Sequence, residues 1–162
     1  MGKQILSADN TAPAAPAALA SLLNPQSLAV ERIRILLADD HTEFLQELRA
    51  LLDGQYEIAA TVFDGKALTE AVELLQPDLV ICDISMPVMT GFEAASRMRS
   101  LGLKTKLIFL TIHTSPAYVR RALKLGAQGY ISKLRTIEQL MPAISRVLDG
   151  GTFISPELQP TR

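Results

Sequence analysis

The chain has 162 residues, 48% hydrophobic and 20% charged, with a formal net charge of −1. That balance suits a globular protein able to bury one core, and it excludes the overall basic field that draws a chain to nucleic acid or an anionic membrane. The single cysteine, Cys82, excludes an internal disulfide, and no apolar run nears the roughly 18–20 residues that cross a bilayer. With no continuous apolar segment of signal-peptide length at the start, a cytoplasmic location without membrane contact is expected.

Residues 1–32 stand apart. Thr11-Ala12-Pro13-Ala14-Ala15-Pro16-Ala17-Ala18 is rich in alanine and proline and lacks the periodicity of a packed element. This stretch is expected to be a flexible arm, with a short helix through Leu19, Leu22 and Leu23 as the alternative.

From Ile33 the pattern alternates between strand and helix five times. Ile33 to Ala38 is an apolar run, followed by helical spacing through Phe44, Leu48, Leu51 and Leu52, with Gly54 as the stop. Tyr56 to Phe63 reads as a second strand, and Leu68, Ala71, Val72 and Leu75 as a second helix closed by Pro77. Asp78 to Cys82 is short and apolar on both faces, as suits a central parallel strand.

Thr90-Gly91-Phe92-Glu93 forms a capping box before a third helix carrying Phe92, Ala95, Met98 and Leu101. Lys106 to Leu110 is a fourth strand. Ser115 and Pro116 open a fourth helix that Gly126 ends. Gln128 to Ser132 is the fifth strand. Thr136-Ile137-Glu138-Gln139 reads as a second capping box, opening a helix in which Pro142 predicts a local kink. Such alternation implies a parallel sheet with right-handed crossovers on both faces. The domain is expected over residues 33–149, with a linker-like tail over 150–162.

Four strand-like runs end on polar residues: Asp39-Asp40, Asp83, Thr111 and Lys133. Parallel strands gather those ends at one sheet edge, where open α/β folds place ligands. Three carboxylates, a hydroxyl and an ammonium suit a divalent metal and a phosphoryl group. Carboxylates about 5 Å apart at an effective dielectric near 20 repel by ~3 kcal/mol per pair, so the cluster calls for a cation.

These residues and their flanking motifs resemble the response-regulator receiver domain of two-component signalling. Ile35-Leu36-Leu37-Ala38-Asp39-Asp40-His41 resembles its first strand and acidic pair. Cys82-Asp83-Ile84-Ser85-Met86-Pro87-Val88-Met89-Thr90-Gly91 resembles its phosphorylation loop. Phe109-Leu110-Thr111-Ile112-His113 and Gly129-Tyr130-Ile131-Ser132-Lys133 match the remaining strand ends. Gly150-Gly151-Thr152-Phe153-Ile154-Ser155-Pro156-Glu157-Leu158 is similar to the stretch that, in the NarL/LuxR branch, leads into a DNA-binding helix-turn-helix.

The resemblance implies a flavodoxin-like, doubly wound, five-stranded parallel sheet in the order 2-1-3-4-5. It implies Asp83 as phosphoacceptor from a histidine kinase, with Lys133 and Thr111 assisting and Thr111 and Tyr130 as switch residues. Mg²⁺ (or Mn²⁺) would be held by Asp39, Asp40, Asp83 and the Ser85 backbone carbonyl. Ser85, Ile112 and His113 would govern access to the phosphoryl site. The chain would then be no metabolic enzyme, catalysing only its own phosphorylation and dephosphorylation. Further partners are a second copy, through the fourth helix, fifth strand and fifth helix, and DNA only if a helix-turn-helix follows.

A stand-alone interaction switch is the alternative output. A haloacid-dehalogenase-type phosphatase is a poor fit, because Ser85 stands where its second acid is needed. Cys82 reads as a buried thiol, and Arg120, Arg121 and Lys124 as a solvated face, with contact to a partner as the alternative. Leu134 follows Lys133 where many receivers carry proline.

Overall fold

A computed structural model describes residues 30–160. The arm expected over residues 1–32 therefore lies, up to residue 29, outside the described residues.

Strands β1 (Arg34–Ala38), β2 (Glu57–Val62), β3 (Leu79–Cys82), β4 (Lys106–Thr111) and β5 (Gly129–Ser132) alternate with helices α1 (Thr42–Leu52), α2 (Gly65–Leu75), α3 (Gly91–Ser100), α4 (Pro116–Lys124) and α5 (Thr136–Leu148). A short sixth strand, β6 (Phe153–Ile154), follows α5. All strand pairings are parallel, in the order β2-β1-β3-β4-β5-β6. Because side chains alternate across a strand, Ile35, Leu37, Ile81, Ile108, Leu110 and Ile131 face α1 and α5. Leu36, Val80, Cys82, Phe109 and Tyr130 face the other way, onto α2, α3 and α4. Two hydrophobic cores sandwich the sheet, so both faces of its central strands are apolar.

Strand β6 is the main departure from the five expected. It arises in the stretch read as a linker-like tail and pairs along the free edge of β5. Phe153 N–H donates to the Gln128 carbonyl and Ser155 N–H to the Tyr130 carbonyl, both at 2.9 Å. Ser155, fully buried, accepts from Ser132 N–H and donates to Gln139, while Leu158 enters the core beside Tyr130. A surface joining α4 to α5 therefore crosses β6 as well as β5.

Helix starts also separate expectation from outcome. Thr90 caps α3 as expected, its hydroxyl accepting from Glu93 N–H while Glu93 accepts from Thr90 N–H. Ser115 caps α4 through Ala117 N–H. The second capping box does not form: Lys133–Arg135 makes a turn of 3-10 helix running straight into α5, so Thr136 is already helical. Its hydroxyl instead donates to the Lys133 carbonyl. Helix α5 runs without interruption through Pro142.

Candidate functional site

Sheet register places the acids. Ala38 pairs with Cys82, and the next residue on each strand is Asp39 or Asp83. Asp39 N–H donates to the Val62 carbonyl and Asp83 N–H to the Ala38 carbonyl, which anchors both backbones at the sheet's carboxyl edge. Gly91, the first residue of α3, closes the site from below. A Cβ there would stand 2.1 Å from the Asp83 carbonyl oxygen, so only glycine lets the helix begin against that strand end.

Asp39 and Asp83 are almost fully buried, and Asp40 is partly exposed. The Lys133 ammonium lies between the buried pair, 2.6 Å from Asp39 Oδ2 and 3.0 Å from Asp83 Oδ2. It also sits 4.7 Å above the Phe44 ring. Burial opposes the charge on Lys133, but hydrogen bonds to Asp39 and Asp83 outweigh it and raise the pKa. Asp83 Oδ1 accepts from Ile84 N–H at 2.6 Å.

A metal ion fits this donor set. Asp39, Asp40, His41 and Asp83 each offer a ligand atom, all within 4.8 Å of one another, and carboxylate oxygens are hard ligands. The position of Lys133 shows independently that the two buried carboxylates draw a cation between them.

The other expected residues form the roof. Thr111 is buried, and its hydroxyl accepts from His113 N–H at 3.2 Å; among the described residues no hydrogen bond joins it to Asp83. Ser85 Oγ meets His113 Nε2 at 2.7 Å, bridging the loops after β3 and β4. The His113 ring stacks on Tyr118 at 4.4 Å. Tyr130 points inward and is wholly buried, its hydroxyl donating to the His113 carbonyl at 2.6 Å. Burial, then the neighbouring Tyr118 and Asp83, pushes its phenol above the ordinary range. Ile112 stands exposed at the rim. Cys82 faces away into the core, where burial and then Asp83 raise its thiol pKa, so it is no nucleophile.

A family model described as the response regulator receiver domain matches residues 35–145, most of the chain. The chain belongs to the receiver family. This receiver is 33% identical over 129 residues to the transcriptional regulatory protein DegU of Brevibacillus brevis, covering 78% of this chain and 55% of DegU. It is 37% identical over 128 residues to the transcriptional regulatory protein DesR of Bacillus subtilis, covering 78% and 63%. Among solved structures, the signal receiver domain of Mycobacterium tuberculosis NarL is 33% identical with a TM-score of 0.69, covering 74% of this chain and 98% of that one. The receiver thus spans between about half and two thirds of the length of the curated relatives it matches.

Three contributors to the pocket escaped the sequence reading. His41 Nδ1 lies 2.9 Å from Asp39 Oδ1 and 3.1 Å from Asp40 Oδ1. Its hydrogen bond to Asp39, then the charges of Asp40 and Asp39, raise its pKa. An imidazole directly after an acidic doublet was the available signal. Phe44, expected in the core stripe of α1, sits at its edge under Lys133, while Leu45 takes the buried place. Tyr118 offered no signal, because its role depends on how α4 packs. No helix among the described residues is long and apolar enough to cross a membrane.

Proposed function

We propose that this receiver accepts a phosphoryl group on Asp83 from a histidine kinase and passes the signal to a transcriptional output. The observation carrying this reading is the pairing of buried Asp83 with Lys133 beside two further carboxylates at the sheet's carboxyl edge. Aspartate side chains ordinarily titrate at about 3.9, so a carboxylate acceptor needs no general base at neutral pH. The Asp83 carboxylate oxygen forms the new bond to phosphorus, and the donor's P–N bond breaks with its electron pair returning to the donor imidazole.

Mg²⁺ (or Mn²⁺), when bound, neutralises charge on the acids and the phosphoryl oxygens. Asp40, Asp83 and the Ser85 carbonyl would hold it directly, and Asp39 through water. Lys133 faces the transferred group as a point charge. Transfer is then positioning and electrostatic stabilisation of a loose transition state. Ser85, Ile112 and His113 control the approach of water to the phosphoryl group.

Switching uses Thr111 and Tyr130. A phosphoryl oxygen at Asp83 gives the Thr111 hydroxyl a new partner, in competition with His113 N–H. Movement there is felt by Tyr130 through the His113 carbonyl and biases the surface of α4, β5 and α5. That surface is also the proposed contact with a second copy. Control of transcription is supported by the names of DegU and DesR, and DNA contact requires a helix-turn-helix beyond the residues described. The setting is cytoplasmic.

Intact-mass measurement after incubation with a small acyl phosphate and Mg²⁺ tests this reading. One added phosphoryl group on the wild type, and none on Asp83→Ala or with chelator, is expected. An unmodified wild type, or a modified Asp83→Ala protein, overturns it.

A further inference from the structure

Acids and bases are unevenly distributed along the chain. Residues 94–137 contain no Asp or Glu, although 17 acids in 162 residues would put about five in a stretch of that length. Nine Lys and Arg lie in the same stretch. Lys133 belongs to the acidic pocket, and Arg135 pairs with Glu138. The remaining seven fall on α3, the loop after it, the first residue of β4, and α4. Among the described residues none of the seven comes within ion-pair distance of a carboxylate.

Helix dipoles explain part of this. Arg97, Arg99, Arg121 and Lys124 stand in the last turns of α3 and α4, where cations favour the helix C-terminus. They do not explain Lys104, Lys106 or Arg120, nor the exclusion of every acid from the rest of α3, all of α4 and their loops.

Between the C-terminal ends of α3 and α4 lies a groove of about 450 Å³. Leu103, Leu123 and Leu125 line it, with Arg99, Lys104 and Lys124 among them and no carboxylate. Arg99 donates to the Lys124 carbonyl at 2.5 Å, which ties the two helix ends together. Leu101 and Leu123 are 40% and 37% exposed, so the basic surface is interleaved with apolar side chains.

We propose that this α3–α4 groove docks an acidic, leucine-bearing segment of a partner protein. Charge complementarity favours glutamates or aspartates facing the lysines and arginines, and the leucines favour a peptide with apolar side chains interspersed among its acids. A phosphate backbone would use the cations alone and leave the leucines unmatched. A second copy pairing through this same face would set like charges opposite one another. The site stands apart from the acidic pocket and does not depend on phosphorylation chemistry.

Fluorescence anisotropy of a labelled peptide of Glu-Glu-Leu repeats, titrated with the full chain, tests the proposal. Saturable binding is expected, weakened by added salt and roughly tenfold by K104E/R120E/K124E. L123S weakens it as well, and K66E, on α2, leaves it unchanged. If the triple glutamate variant unfolds early, K104Q/R120Q/K124Q replaces it, because glutamines remove charge without adding repulsion. Absent binding, equal binding by the neutralised variant, or tighter binding of a short DNA duplex than of the peptide overturns the proposal. So does a dimer, seen by light scattering, that K104Q/R120Q/K124Q turns into a monomer.

Discussion

Asp39 and Asp83 are placed by backbone, whereas on the opposite side of the same pocket the sheet fixes the backbones of Thr111 and Tyr130 but side-chain hydrogen bonds set the Thr111 hydroxyl, the Tyr130 phenol and His113. The first pair is pinned by ladder bonds to β2 and β1 and by Gly91 packed on the Asp83 carbonyl. The second group is joined by three contacts: Thr111 Oγ to His113 N–H, Ser85 Oγ to His113 Nε2, and Tyr130 Oη to the His113 carbonyl. Register cannot change without breaking the sheet, but single hydrogen bonds worth about 1 kcal/mol each can exchange partners. The difference assigns charge to the rigid side and motion to the other.

The largest expected effect comes from removing the cation that the rigid side needs. K133A leaves two buried carboxylates uncompensated and is expected to lower unfolding free energy by about 3 kcal/mol, with added Mg²⁺ restoring part of it. Urea melts with and without Mg²⁺ measure both; a variant as stable as wild type in chelator would show that the acids do not need Lys133.

G91A comes next. Its methyl cannot fit 2.1 Å from the Asp83 carbonyl oxygen, so α3 or the β3 end must shift, at about 2 kcal/mol. Phosphoryl acceptance should fall along with stability. If stability falls and acceptance does not, Asp83 is less rigidly placed than the backbone contacts imply.

On the mobile side, Y130F removes one donor and leaves the His113 carbonyl short of a partner, at about 1 kcal/mol. Hydrogen exchange should quicken in the loop after β4 and remain unchanged at Asp39 and Asp83. Exchange that quickens equally on both sides would erase the contrast.

Glu93 provides the smallest effect. Hydrogen bonds from the Thr90 backbone and hydroxyl, then the Arg121 charge, lower its pKa. A carboxyl depressed in the folded state contributes stability above its unfolded pKa, about 4.3, and loses it as pH falls through the folded value. The stability profile of E93Q should therefore be flatter than wild type below about pH 4.3, and the two slopes should agree near neutrality.

The fold was legible because its signals are repeated and local. Apolar runs of strand length separated by helical periodicity identify the parallel sheet, and polar residues at the ends of four runs point to the edge where they meet. Asp39, Asp40, Asp83 and Lys133 were legible for that reason, since strand register alone brings them together. The sixth strand was not, because two residues carry no periodicity and β6 forms only where β5 offers an edge. Thr136 misled because a capping box describes a helix that starts freely, while here a 3-10 turn leads into it. Tyr118 and the inward Tyr130 depend on packing between α4 and the sheet, which no local pattern encodes.

The most direct measurement locates the phosphoryl group. Reducing the phosphorylated protein with borohydride and mapping its peptides should put the modification on Asp83 alone, dependent on Mg²⁺ and greatly diminished in K133A. Label on Asp39 or Asp40, or equal label in K133A and wild type, would contradict the account.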